Sequence, residues 1–167
     1  MTAYTTIASP LDDLLLVGEE TGDGMTLTSL SMTGQKNAPT VRPGWRADDE
    51  PFTDVIRQLQ AYFAGELVQF DIPFTRGGTD FQQRVWRALE EIPHGTTTTY
   101  GALAGQLGLP RDRIQALAAA IGANPLLLVR PCHRVIGADG SMRGYAAGVE
   151  RKVYLLTHEG SLQPALI

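Results

Sequence analysis

The sequence predicts an α+β chain: a small N-terminal α/β domain with an antiparallel sheet, followed by a helical C-terminal domain that carries a helix-turn-helix. Three observations predict it. Short β-branched or apolar runs bounded by turn residues occupy the start of the chain. Apolar residues recur at helical spacing from about residue 80 onward. Between the two patterns lies Arg76-Gly77-Gly78, a linker composition that sets the division at residues 1–78 and 79–167.

In the first part, Tyr4–Ile7, Leu14–Val17 and Met25–Met32 read as strands, punctuated by Ser9-Pro10 and Gly18. Residues 34–51 hold Pro39, Pro43, Gly44 and the acidic Asp48-Asp49-Glu50, and read as loop. Val55, Ile56, Leu59, Tyr62 and Phe63 fall at helical spacing over 53–64, with Gly65 as a stop. Val68–Phe70 and Ile72–Phe74 read as one more extended segment. In the second part, Thr79 or Asp80 caps a helix that turns Phe81, Val85, Trp86 and Leu89 to one side. A short helix at 100–107, the turn Gly108-Leu109-Pro110 and a helix at 111–121 give a helix-turn-helix outline, a pattern shared by many helical hairpins. A last helix spans about 150–158.

Composition narrows the function. The formal net charge is −4, and one cysteine and three histidines occur among 167 residues. A lone cysteine excludes an internal disulfide framework and a four-cysteine zinc site, and fits a reducing compartment. No apolar run is long enough to span a membrane, and the start MTAYTTIASP lacks the basic-then-apolar pattern of a secretory signal, so a cytoplasmic protein is expected. The charge is uneven: residues 1–79 carry five basic and eleven acidic side chains, and residues 80–167 carry nine and seven. A polyanionic partner therefore meets the second part, if any.

Cys132 by itself reads either as a small buried hydrophobe or as a nucleophile. Its setting, Pro131-Cys132-His133-Arg134, favours the second, because a thiolate needs nearby cationic or hydrogen-bonding groups. Neighbours along a strand point to opposite faces, so His133 reaches Cys132 only through a turn or a bridging water. Gly137, Gly140, Gly144 and Gly148 crowd the following segment, which also holds Tyr145 and suits close approach to a ligand. Glu159 is the candidate to orient His133.

Pro131-Cys132-His133-Arg134-Val135-Ile136-Gly137 resembles the active-site signature of the O6-alkylguanine-DNA alkyltransferases, the methylated-DNA–protein-cysteine methyltransferases. The resemblance extends through the segment 79–89, Thr99-Tyr100-Gly101, Gly122-Ala123-Asn124-Pro125, Gly144-Tyr145 and His158-Glu159-Gly160. It is weaker in the first part, where Tyr62-Phe63-Ala64-Gly65 carries it. It implies direct repair of alkylated guanine in double-stranded DNA: the base is flipped out and its O6-alkyl group passes irreversibly to a cysteine. Carried onto this chain, Cys132 is the acceptor, His133 takes its proton through a water, and Glu159 supports His133. Tyr100 donates to the leaving guanine, and Asn124 braces the turn. Val135, Tyr145, Ala146 and Ile121 hold the base, and Arg111, Arg113, Gln115 and Arg134 face DNA. The resemblance implies no metal and no cofactor, and a monomer suffices for a reaction of one site, nucleoid-associated in a prokaryote.

The chain departs from the family at three places. Gln115 stands where relatives insert an arginine into the duplex, so Arg113 or Arg111 is expected to substitute or DNA binding to weaken. Tyr145-Ala146-Ala147-Gly148 is bulkier than the usual pocket loop. Arg130 precedes Pro131, where an apolar residue is common, and reads as a phosphate contact or an exposed side chain. The competing readings are a non-catalytic or impaired binder of alkylated DNA, which the presence of Cys132 disfavours, and a cysteine hydrolase, for which no acyl site is evident.

Overall fold

In the computed structural model, residues 1–22, 24–142 and 144–162 are described. The chain folds into two compact units: Met1–Thr75 with Pro125–Val129, and Arg76–Asn124 with the chain from Arg130 onward. The inclusion of Pro125–Val129 in the first unit has no counterpart in a division of the sequence at residue 78.

In the first unit, β1 (Thr2–Ile7), β2 (Leu14–Thr21) and β3 (Gly24–Met32) make an antiparallel meander, and β4 (Arg46–Ala47) joins β1 in parallel, giving the order β3-β2-β1-β4. Leu14 pairs with Met32 and Leu16 with Leu30, so one face of β2 and β3 is apolar and buried. A bulge between Val17 and Gly18 shifts the register beyond that point. The helix α1 (Thr53–Phe63) buries Val55, Leu59 and Tyr62. The strand β4 lies in the stretch read from sequence as loop; two residues, one of them charged, leave no periodicity to detect.

The extended segment expected at 68–74 is not a strand. Only Phe74 bridges Leu27, with Leu27 N–H donating to the Pro73 carbonyl at 2.9 Å and Thr75 N–H to the Leu27 carbonyl at 3.0 Å. Pro73 has no N–H to continue the ladder. The buried Gln58 amide acts as the partner of Asp71 instead, donating to its carbonyl at 2.9 Å and accepting from its N–H at 2.8 Å. Leu30 N–H donates to the Pro125 carbonyl at 2.9 Å, and Leu127 N–H to the Leu30 carbonyl at 3.2 Å.

The second unit starts with α2 (Asp80–Glu90). Thr79 Oγ1 accepts from the Gln82 N–H at 3.1 Å, and Gln82 Oε1 accepts from the Thr79 N–H at 3.0 Å. This reciprocal cap satisfies two otherwise orphaned donors and is worth about 1 kcal/mol. A two-residue strand β5 (Thr98–Thr99) runs directly into α3 (Tyr100–Gln106), whose Ala102 N–H is capped by Thr99 Oγ1. Gly108, at φ +68°, ends that helix in a backbone conformation that L side chains rarely adopt. The second helix of the pair differs from the expected 111–121: Arg111–Arg113 form a 3-10 turn, and α4 proper is Ile114–Gly122. Pro110 enters that turn extended, and no side chain caps either segment, so the first turn stays tight. Trp86 Nε1–H donates to the Ala120 carbonyl at 2.8 Å and ties α2 to α4. The strand β6 (Val135–Ile136) pairs in parallel with β5, and α5 (Val149–His158) closes the unit.

Candidate active site

Pro131 has φ −80° and ψ 65°, and the Cys132 N–H donates to the Arg130 carbonyl at 2.8 Å. This is an inverse γ-turn, for which the proline ring sets the dihedral in advance. A 3-10 turn at Cys132–Arg134 follows and leads into β6. This turn, rather than a strand, carries Cys132 and His133. The pairing of Thr98 with Val135 and of Thr99 with Ile136 then fixes Tyr100, the first residue of α3, relative to the exit of the cysteine turn.

His133 is fully buried and its Nε2 lies 2.8 Å from Glu159 Oε2. Glu159 also accepts from Arg134 Nε at 2.8 Å and from Arg134 Nη2 at 3.0 Å, and Arg134 Nη1 donates to the Ile92 carbonyl at 2.6 Å. The guanidinium pairs with the Glu159 carboxylate, which can only accept. His133 therefore presents Nε2–H to it, and the lone pair of the neutral ring resides on Nδ1. Nδ1 is buried and has no hydrogen-bond partner among the described residues. Burial pushes the His133 pKa down, against the opposing pull of Glu159, and keeps the ring neutral near pH 7. The Tyr145 ring stands edge-on to it, with centroids 6.4 Å apart.

Cys132 is a free, buried thiol. Burial pushes its pKa up; a hydrogen bond from the Asn124 side chain and the charge of Lys152 pull it back. Asn124 Nδ2 also donates to the Arg130 carbonyl at 2.9 Å. Lys152, inside α5, is wholly buried, and its Nζ donates to the Val135 carbonyl at 2.5 Å and the Gly144 carbonyl at 3.4 Å. Burial lowers its pKa to about 8, against the pull of Cys132. Its ammonium lies 6.0 Å from the centroid of the Tyr100 ring. A Cβ on Gly144, at φ +47°, would lie 3.8 Å from the Tyr100 hydroxyl, so the glycine loop passes beside that phenol.

The structure thus brings together Cys132, His133, Glu159, Tyr100, Asn124, Val135 and Tyr145. Ala146 is half-buried in the same glycine loop, and Ile121 is buried at the end of α4, three residues before Asn124. Arg111 and Arg113, in the 3-10 turn before α4, and Gln115, in its first turn, are exposed, and the Arg113 guanidinium lies 5.1 Å from the centroid of the Phe81 ring.

Two expectations need correction. Arg134, read as a DNA contact, is buried, and its donors go to Glu159 and Ile92, so it pairs with the carboxylate that holds His133 instead. Arg130, read as a phosphate contact or an exposed side chain, is 1% exposed, because Glu90 and Asn124 accept its donors and Trp86 covers it. Lys152 was not among the expected site residues. Its spacing held the signal: 152, 155, 156 and 159 lie on one helical stripe, and all four are buried, which places a lysine where an apolar residue belongs.

The comparisons with known proteins cover both units. Residues 80–161 match the 6-O-methylguanine DNA methyltransferase DNA-binding domain, and residues 2–75 match its ribonuclease-like domain. A methylated-DNA–protein-cysteine methyltransferase of Mycobacterium tuberculosis H37Rv is 47% identical over 165 residues, 99% of this chain and 96% of the relative. One from Methanosarcina acetivorans is 43% identical over 158 residues, 95% of this chain and 98% of the relative. The crystal structure of Mycobacterium tuberculosis OGT in complex with DNA superimposes with a TM-score of 0.84 at 46% identity, covering 95% of this chain and 93% of that one. With both domains matched and near-complete relatives at this identity, the chain belongs to the methylated-DNA–protein-cysteine methyltransferase family.

Proposed function

We propose that the protein repairs O6-methylguanine in double-stranded DNA by moving the methyl group irreversibly to Cys132. The observation that carries this reading is the lone cysteine set in a turn with His133, whose Nε2 is held by Glu159 while Nδ1 stays open. The thiol proton passes to His133 Nδ1 through a water. The sulfur lone pair attacks the methyl carbon, and a C–S bond forms as the C–O6 bond breaks. The bonding pair stays with guanine, which takes a proton from Tyr100 as its charge develops. The products are an S-methylcysteine and an unmodified guanine, and the thioether has no route back.

The extruded base is held by Tyr145 and Ile121, with the Val135 and Cys132 carbonyls accepting from its amino group and backbone N–H groups near Ala146 facing O6. A single chain completes the reaction, so the protein acts as a monomer. Its DNA substrate places the protein in the cytoplasm; no helix among the described residues is long and apolar enough to cross a membrane.

The test is intact mass after incubation with duplex DNA bearing O6-methylguanine. One methyl on the wild-type protein and none on Cys132→Ala is the expected result. Tight binding with no mass change would mean a binder rather than a transferase.

The residue at 115 grades the DNA contact. A glutamine there fills space and hydrogen-bonds but neutralises no phosphate. Gln115→Arg is expected to bind duplex DNA more tightly, to steepen the dependence of log affinity on log salt by about one, and to speed repair of duplex over single-stranded substrate. Equal salt slopes for the two proteins would place another side chain, such as Arg113, in this role.

A further inference from the structure

Arg130 is a large, wholly buried cation for which the transfer chemistry has no direct use. Its Nε donates to Glu90 Oε2 at 3.2 Å, and its guanidinium lies 4.8 Å from the centroid of the Trp86 ring. Its Nη1 donates to Asn124 Oδ1 at 3.3 Å. Its own carbonyl accepts twice, from Asn124 Nδ2 at 2.9 Å and from the Cys132 N–H at 2.8 Å. Two points of contact, one donor and one acceptor on the same residue, therefore read both ends of one side-chain amide.

That matters because an amide beside a thiol has two opposite effects. With its oxygen toward sulfur it accepts from S–H and favours the thiol; with its NH2 toward sulfur it donates to S⁻ and favours the thiolate. Rotating Asn124 by half a turn would set its oxygen against the Arg130 carbonyl and its NH2 against the guanidinium, two repulsions in place of two hydrogen bonds. We propose that Arg130 is a positioning residue: clamped by Glu90 and Trp86, it takes the Asn124 amide oxygen and so turns the amide NH2 toward the Cys132 sulfur. Arg130 acts through Asn124 and touches neither base nor methyl group. The charges that act on the sulfur directly are the Lys152 ammonium from α5 and, less strongly, the Arg130 guanidinium itself, so a variant that keeps the Arg130 charge is needed to isolate its action through Asn124.

The inference rests on Cys132 being the nucleophile, and its test uses no DNA. The pH titration of thiolate ultraviolet absorbance, taken as a difference against Cys132→Ala, reports the one cysteine directly. Failure of methyl transfer and failure of positioning therefore read out separately. Arg130→Lys keeps the charge but loses the planar fork that spans Glu90 and Asn124. The expected result is an upward shift of the Cys132 pKa by about one unit, about tenfold less thiolate at a given pH below it. An unchanged pKa in Arg130→Lys would reduce Arg130 to a charge and overturn the proposal.

The double variant Glu90→Leu/Arg130→Met guards against misfolding, since a well-packed apolar pair commonly replaces a buried ion pair without loss of stability. It is expected to stay folded and to show the same upward shift, most of which disappears when Asn124→Ala is already present. A shift of equal size with and without the Asn124 amide would exclude action through it.

Discussion

Replacing Glu159 with glutamine is expected to lower stability by about 3 kcal/mol and to slow methyl transfer on the order of a hundredfold. The carboxylate side chain has no exposure and answers three donors, two from Arg134 and one from His133. Glutamine offers one acceptor oxygen and an NH2 that faces a donor. Arg134 then keeps its charge in a buried site with no counter-ion, which is the costly half of a broken ion pair. His133 loses the anion that selects its Nε2–H tautomer, so Nδ1 no longer presents a lone pair in most molecules. Urea unfolding gives the first number and single-turnover transfer the second, measured where the variant is folded. Arg134→Lys is the informative companion. It keeps charge on Glu159 but not the two-point grip, so stability falls while much of the transfer rate remains. A Glu159→Gln protein with unchanged transfer would remove His133 from the chemistry.

Lys152→Met is expected to show the opposite split: transfer slowed on the order of a hundredfold with stability close to wild type. Removing a buried ammonium relieves its desolvation, which offsets the loss of a donor to the Val135 and Gly144 carbonyls. What disappears is the cationic field that favours the Cys132 thiolate. Stability against pH carries a second signature. The lysine proton is held less tightly in the fold than in the unfolded chain. Below pH about 8 both states are charged and the fold bears the whole burial cost. Between about 8 and 10.5 the folded amine is neutral while the unfolded one is still charged, so stability rises with pH across that window. The rise is expected in wild type relative to Lys152→Met, and the two unfolding curves running parallel through that range would contradict it.

These two residues also mark how far the sequence could be read. Strands β1 to β3 are legible as β-branched or apolar runs bounded by turn residues, and helices α1 and α2 because their apolar residues recur at helical spacing. β4, β5 and β6 span two residues each, too few for any period, and exist because neighbouring backbone groups need partners. Cys132, His133 and Glu159 were legible as a set through their resemblance to a signature. Arg134 sits inside that signature, yet its target was misjudged. An arginine beside a DNA-facing motif looks like a phosphate ligand until the fold places Glu159, 25 residues on, against it. Arg130 was misread for the same reason. Its partners Glu90 and Trp86 lie 40 and 44 positions earlier in the sequence, and nothing local announces that a buried cation has company there. Lys152 hides differently: it is a charged residue on the inward stripe of α5, a place where the residue type alone predicts a solvent-facing side chain.

The passage of Pro125–Val129 into the first unit bears on heredity as much as on architecture. Leu126, Leu127 and Leu128 are each at most 2% exposed, and they connect Asn124 to Arg130, the two residues that brace the cysteine turn. A gene fragment starting at Arg76 would encode every chemical group of the site and still strip Pro125–Val129 of the Leu30 strand with which its backbone pairs, between the two residues on which the turn depends. The segment makes the halves of this protein poor candidates for exchange or separate inheritance, although the reaction itself uses only one of them.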